Sequence, residues 1–271
     1  MVKKALTLFN VFEGRAILTD EDLAARLAAE AGRLLVAQRR ETMLKGAALG
    51  QEADRAANIF LLAGLARWRP EDAILSEESP DDRARLAAAR VWIIDPLDGT
   101  REYAEGRDDW AVHVALAVDG APRIGAVALA AQGLLYRSDR VAQPARKSGR
   151  PKMVVSRTRP PAEVEEIADL LGADLVPMGS AGAKAMAVVT GAADIYYHAG
   201  GQHEWDNCAP AAVALGAGLH ASRLDGRPLL YNQVDTCIPD LVIGRPDLAE
   251  RVLAFCRARL DSLSPGGRGP G

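Results

Sequence analysis

Val91-Trp92-Ile93-Ile94 is an unbroken β-prone apolar run that leads straight into Asp95-Pro96-Leu97-Asp98-Gly99-Thr100. A strand with no polar alternation is buried on both faces, so it belongs inside a sheet covered on each side by other layers. Pro96 fixes its own φ and removes an amide donor, so the strand is expected to break at Asp95-Pro96 and turn at once. Two carboxylates then flank the turn. Gly99 lets the backbone approach a ligand closely, and Thr100 opens a helix whose free amides and positive end suit an anion.

The flanking segments are read from periodicity. Leu23, Leu27, Ala31, Leu34 and Leu35 recur at helical spacing behind a Thr19 cap, which predicts a helix from Thr19 to about Arg40. A second helix is expected over 52–68, then a short strand at Ala73-Ile74-Leu75 running into Ser76-Glu77-Glu78-Ser79, and a charged helical segment over 81–89. Strands follow at about 110–118, 122–129 and 133–136. The stretch 142–151 mixes Pro, Gly, Lys, Arg and Ser without period and reads as a surface connection between two halves.

Beyond it, strands and helices alternate: strands at 152–156, 175–178, 193–197 and 241–243, and helices at 161–171, 182–190, 205–217 and 247–260. The pattern implies an α/β or layered α+β chain. It is organised as one domain over 16–262, with a carboxylate-bearing half at 16–145 and a second half at 150–262. Residues 1–15 show no clear period and read as an extension. The Ser/Pro/Gly-rich residues 263–271 cannot support a core and read as a disordered tail.

Composition narrows the chemistry. Of 271 residues 49% are apolar, enough for a large core, while a net charge of only −3 gives no global field to hold nucleic acid or an anionic membrane. Any phosphate must therefore be neutralised locally. Three dispersed cysteines, Cys208, Cys237 and Cys256, form no metal-binding spacing and fit a reducing cytoplasm. No signal peptide or membrane span is read in the sequence.

Asp95 and Asp98, with the Leu97 carbonyl between them, offer several oxygen ligands in a small volume, the donor type that hard cations such as magnesium require. Alone, Glu77-Glu78 reads as a hydrated helix start, and Asp206 in Trp205-Asp206-Asn207-Cys208-Ala209-Pro210 as a helix cap. Gly179-Ser180-Ala181 lacks the spacing of a nucleophile elbow, and Gly216-Ala217-Gly218 lacks a third glycine, which excludes serine-hydrolase and dinucleotide-binding readings. His113 and His220 sit in apparent strands and read as structural, as do His198 and His203 unless they touch substrate.

Taken together and in order, S-E-E-S, W-I-I-D-P-L-D-G-T and W-D-x-x-A-P resemble the inositol monophosphatase family of metal-dependent, lithium-sensitive phosphatases over nearly the whole chain. The resemblance implies the αβαβα sandwich of the inositol monophosphatase and fructose-1,6-bisphosphatase type. It implies two or three Mg2+ ions held by Glu77, Asp95, the Leu97 carbonyl, Asp98 and Asp206, with phosphate on Leu97, Asp98, Gly99, Thr100 and Asp206. Asp54 matches the acidic residue that hydrogen-bonds the catalytic threonine. The implied reaction has no covalent intermediate: Glu77 and Thr100 orient a water beside one magnesium, and a second magnesium on the three aspartates stabilises the leaving oxygen. Dimers are common in the family, so a homodimer is one implied assembly.

Within the family, R-E-Y after D-G-T, G-S-A-G-A-K and H-A-G-G-Q-H-E-W-D are similar to the bacterial branch that removes the 3′-phosphate of adenosine 3′,5′-bisphosphate in sulfate assimilation. Its 3′-phosphorylated adenylyl sulfate precursor is a further implied substrate. On that reading Ser180 and a free Lys184 meet the ligand beyond the scissile phosphate, with Ser156 and Arg157 of Ser156-Arg157-Thr158-Arg159 as further contacts. Inositol 1-phosphate or fructose 1,6-bisphosphate hydrolysis, and a catalytically inactive nucleotide or metal sensor, are the competing expectations.

Overall fold

The computed structural model describes residues 18–145 and 148–263. Positions 1–15, read as an extension, and 264–271, read as most of the tail, lie outside the described residues. Helix α1, Asp20–Glu41, begins where expected, with the Thr19 side chain accepting the Asp22 amide and three acidic residues in its first turn. Helix α2, Gly46–Trp68, starts six residues earlier than its sequence pattern indicates. It opens on Gly46-Ala47-Ala48 with no side-chain cap and no acidic residue in its first turn, so no start signal marks it.

Strands β1 (Ala73–Ser76), β2 (Arg90–Asp98), β3 (Ala111–Val118), β4 (Ala121–Leu129) and β5 (Leu134–Arg137) form one sheet in sequential order, with β1 and β2 parallel and the rest antiparallel. The charged helix expected over 81–89 condenses to a single 3-10 turn, Ala84–Ala87. Arg83 adopts φ +64 before it, and the buried Arg85 side chain binds Asp81, Asn232 and the Gln233 carbonyl.

Nor does β2 break at Asp95-Pro96. It continues to Asp98 through a bulge, in which the step from Asp95 to Asp98 is matched on β3 only by His113 to Ala111. This position tolerates proline because the ladder is already interrupted there. The bulge has a chemical consequence. Strand side chains alternate faces, so without the extra residue Asp95 and Asp98 would point to opposite sides of the sheet.

After the connection come β6 (Lys152–Ser156), α4 (Val164–Leu171), β7 (Asp174–Met178), α5 (Ala181–Val189), β8 (Ile195–His203), α6 (Glu204–Gly216), β9 (His220–Ser222), β10 (Cys237–Gly244) and α7 (Pro246–Leu263). The strands form a second, mixed sheet ordered β7-β6-β8-β10-β9.

Three cores stack these elements into five layers. Trp92, Ile94, Val112, Val114 and Leu116 pack against Leu23, Leu27, Phe60 and Leu61 of α1 and α2 on the outer face of the first sheet. Val91, Ile93, Ala115 and Val127 on its other face meet Met186 of α5 and Val213 of α6, which also touch Tyr196, Leu241 and Ile243 of the second sheet. Ile167 of α4 and Val252 of α7 close the far side over Met153, Tyr197 and Val242. The order is the αβαβα sandwich that the resemblance implies, and β2 is covered on both faces as its apolar run requires. The middle layer matters most for function, because the N-termini of α5 and α6 point at the bulge in β2.

Candidate active site

The bulge, the first turn of α6 and the start of α5 converge. Asp95, Asp98 and Asp206 each bring a carboxylate oxygen within 4.8 Å of the others, a group of three able to hold a metal ion. Asp95 accepts the Leu97 amide at 3.0 Å, which folds the bulge back on itself. Asp206 accepts the His203 amide at 2.6 Å, completing the capping box of α6. So Asp206 is the helix cap that its sequence suggests, and its remaining oxygen serves the cluster.

Glu77 follows directly from β1, whose parallel pairing with β2 sets Ser76 beside Ile94. The residue is exposed to solvent, yet its carboxyl is crowded by protein on the side of Asp95. Crowding, then the charge of Asp206, pushes Glu77 up to about 7. Asp95 is raised well above the usual carboxylate range by burial and by Glu77, Asp98 and Asp206. Asp206 is raised by burial and by Asp98. Carboxylates that raise one another in this way lack a counter-charge, and an all-oxygen donor set of this kind fits a hard divalent cation.

Asp98 behaves differently. Burial would raise it, but His113, the Ser180 hydroxyl and the charge of Lys184 hold it at about 2. His113 Nε2 stands 3.2 Å from Asp98 Oδ2, while its Nδ1 meets the Trp205 carbonyl at 3.1 Å. Burial opposes a charge on His113, and Asp98 more than offsets it, raising its pKa. Ser180 Oγ donates to Asp98 Oδ2, the Ala181 amide to Oδ1 at 3.1 Å, and the Gly182 amide to Oδ2 at 2.6 Å. The α5 N-terminus therefore stabilises one carboxylate of the cluster in its charged form.

Thr100 Oγ1 lies 3.0 Å from Asp54 Oδ2 and 3.1 Å from the Leu97 carbonyl. Asp54 Oδ1 is buried with no partner among the described residues. Burial, then Glu78 and Glu77, pushes Asp54 up to about 8 against the Thr100 hydrogen bond. Gly99 takes φ +88 at the start of α3, Thr100–Ala104, a conformation that favours glycine.

From this corner a cavity of about 520 Å³ runs past Gly99, Thr100 and Asp206 to Ser156, Thr158, Arg159, His198 and Gln202. Lys184 lines it but is not the free cation its position in the sequence suggests. It is buried, its ammonium donates to the Gly179 carbonyl and to the Ser180 carbonyl at 2.8 Å, and it sits 5.3 Å above the Tyr196 ring. Arg157 is also engaged elsewhere, with Glu102 at 2.8 Å and Glu105 at 3.1 Å. The cavity wall has its neighbours Thr158 and Arg159 instead.

Two residues of the site had no motif to mark them. His113 is the only polar residue of Ala111–Val118 and reads as structural, yet it ties Asp98 to the residue before Asp206. His198 reaches the cavity with neither ring nitrogen in a well-formed hydrogen bond, and burial together with Lys184 lowers it to about 4. Cys208 faces the core as its sequence context suggests, and all three cysteines are free. Among the described residues no helix is long and apolar enough to cross a membrane.

Comparison with known proteins agrees with this arrangement. Residues 18–255 match the inositol monophosphatase family. The chain is 53% identical over 258 residues to the 3′-phosphoadenosine 5′-phosphate phosphatase of Mycobacterium leprae, covering 90% of this chain and 95% of that one. It is 32% identical over 191 residues to the 3′(2′),5′-bisphosphate nucleotidase CysQ of Escherichia coli K12, covering 66% and 78%. Among solved structures, CysQ from Bacteroides thetaiotaomicron superposes with a TM-score of 0.72 at 25% identity, over 82% of this chain and 96% of that one. With its layers, its carboxylate cluster and these relatives in agreement, the chain belongs to the inositol monophosphatase family.

Proposed function

We propose that this chain is a magnesium-dependent phosphomonoesterase that removes the 3′-phosphate of adenosine 3′,5′-bisphosphate to give AMP and phosphate. The 3′-phosphorylated adenylyl sulfate is a second substrate on this reading, and the setting is sulfur assimilation. One observation carries it: the three convergent carboxylates stand at one end of a cavity of about 520 Å³, a size suited to a nucleotide, with hydroxyls, an arginine and a histidine along its far wall. The names of the relatives at 53% and 32% identity support the choice of nucleotide over inositol phosphate.

On this reading Asp95, Asp98, Asp206, Glu77 and the Leu97 carbonyl hold two or three magnesium ions. Bound there, magnesium supplies charge for the phosphoryl oxygens and acidity for a water. The chain's own residues do the rest. Gly99 and Thr100 cradle the phosphate. Thr100 Oγ1 accepts from the attacking water and passes its own proton to Asp54 Oδ2, whose raised pKa suits it to take up a proton near neutral pH. Asp98, kept charged by α5, holds its place when its neighbours are protonated.

Ser156, Thr158, Arg159 and His198 are assigned to the adenylyl end of the ligand, and Ser180 to the junction between the two ends. Arg157 acts one step back, fixing Glu102 and Glu105 beneath the loop. Chromatographic identification of the nucleoside product tests the assignment. Formation of 5′-AMP with stoichiometric phosphate is expected, and accumulation of adenosine 3′-phosphate would place the wrong ester at the carboxylates.

A further inference from the structure

Lys184 lies one helical turn inside α5, and helical side chains tilt toward the N-terminus of their own helix. Its ammonium therefore runs back beneath Gly179 and Ser180, the two residues that lead into α5, and binds both of their carbonyls. The same short segment is held from the other side, because the Gly179 amide donates to Asp109 Oδ2 at 2.9 Å. Beyond it, Ser180 Oγ and the Ala181 and Gly182 amides all point at the Asp98 carboxylate.

We infer that Lys184 is a positioning residue: it locks the Gly179–Ser180 turn so that three donors at the start of α5 orient Asp98 for cation binding. The inference rests on reading Asp98 as a ligand of the active-site metal. A buried ammonium is costly unless its donors are satisfied, and here two carbonyls and the Tyr196 face satisfy them. This assigns Lys184 a role through Asp98 rather than as the contact for a second phosphate of the ligand.

The two roles separate in a matched pair of substrates, adenosine 3′,5′-bisphosphate and adenosine 3′-phosphate, and in Mg2+ titration of the substrate-free protein by calorimetry. Lys184→Met is expected to weaken Mg2+ binding and to lower kcat by the same factor on both substrates, roughly 10- to 100-fold as for other partners that orient a ligand. Its thermal unfolding midpoint establishes that the variant is folded. Should Lys184→Met fail to fold, Lys184→Gln keeps donors without the charge and is expected to show a smaller loss of the same pattern.

Unchanged Mg2+ affinity with a loss confined to KM for the bisphosphate would overturn the inference and make Lys184 a direct phosphate contact. Wild-type protein that binds Mg2+ but cleaves neither nucleotide would refute the proposed substrate instead. In that case the Mg2+ titration of the variant still decides the role of Lys184.

Discussion

The Thr100 hydroxyl lies within hydrogen-bonding distance of both Asp54, at 3.0 Å, and the Leu97 carbonyl, at 3.1 Å, with one proton to offer two acceptors. Asp54 can take the Thr100 proton only while it is itself unprotonated; its pKa of about 8 keeps a proton on it at neutral pH in the metal-free site, and the positive charge of a bound cation favours its release. The pair therefore acts as a unit. Thr100→Ala and Asp54→Asn are each expected to lower kcat by roughly 100-fold, the scale of a lost general acid–base contact. The double variant should lose little more than either single one, since groups that act together are not additive. Additive losses in steady-state kinetics would mean that the two residues work separately.

The raised carboxyls also make stability depend on pH. Asp54 at about 8 and Glu77 at about 7 bind more protons in the folded than in the unfolded chain, so their contribution to stability falls as pH rises toward those values. Below pH 6.5 the lowered His198 works in the opposite sense, so the window to examine is pH 6.5 to about 8. Metal-free protein should show a falling Tm across that window. Saturating Mg2+ should remove most of the fall, and a Tm that rises with pH without metal would contradict the carboxylate cluster as described.

Gly182 packs against His113, and a Cβ at that position would stand 2.2 Å from Nε2 of the ring. Because the histidine is buried, Gly182→Ala must push the start of α5 away from Asp98. The expected cost is about 1–3 kcal/mol of stability by urea unfolding, as for other overpacked cores. Activity should fall further than that stability loss explains, because the Gly182 amide is itself a donor to Asp98.

Arg157 and Arg159 are two residues apart but are not equivalent. Arg159→Ala is expected to raise KM for adenosine 3′,5′-bisphosphate by roughly 10-fold or more, the cost of one lost charge-assisted hydrogen bond, with little effect on kcat. Arg157→Ala removes the ion pairs to Glu102 and Glu105 and should act mainly on thermal stability. The reverse pattern would show that the guanidinium of Arg157 leaves its carboxylates to meet the ligand.

Much of this was readable beforehand because the chemistry is local. The buried run 91–94, the D-P-L-D-G-T turn and the W-D cap of α6 are each set by residues a few positions apart. What escaped depends on distant partners or on phase. Asp95 and Asp98 share a face only because β2 gains one residue against β3, and no local signal separates a bulge from a break at Pro96. His113 looks like one polar residue in an apolar strand until α5 and α6 bring Asp98 and the Trp205 carbonyl to it. Lys184 looks free in a helical pattern, but the carbonyls that bind it lie a full turn back, across the start of α5. Which arginine of Ser156-Arg157-Thr158-Arg159 faces the cavity was set by Glu102 and Glu105, some fifty residues earlier in the chain.

The most direct measurement is kcat/KM for phosphate release from adenosine 3′,5′-bisphosphate, inositol 1-phosphate and fructose 1,6-bisphosphate, each with Mg2+ and again with excess chelator. A preference for the bisphosphate nucleotide of roughly 100-fold or more, the scale of discrimination by a site built around specific polar contacts, is predicted to vanish with the metal. Comparable rates on all three esters, or release that persists in chelator, would contradict the account.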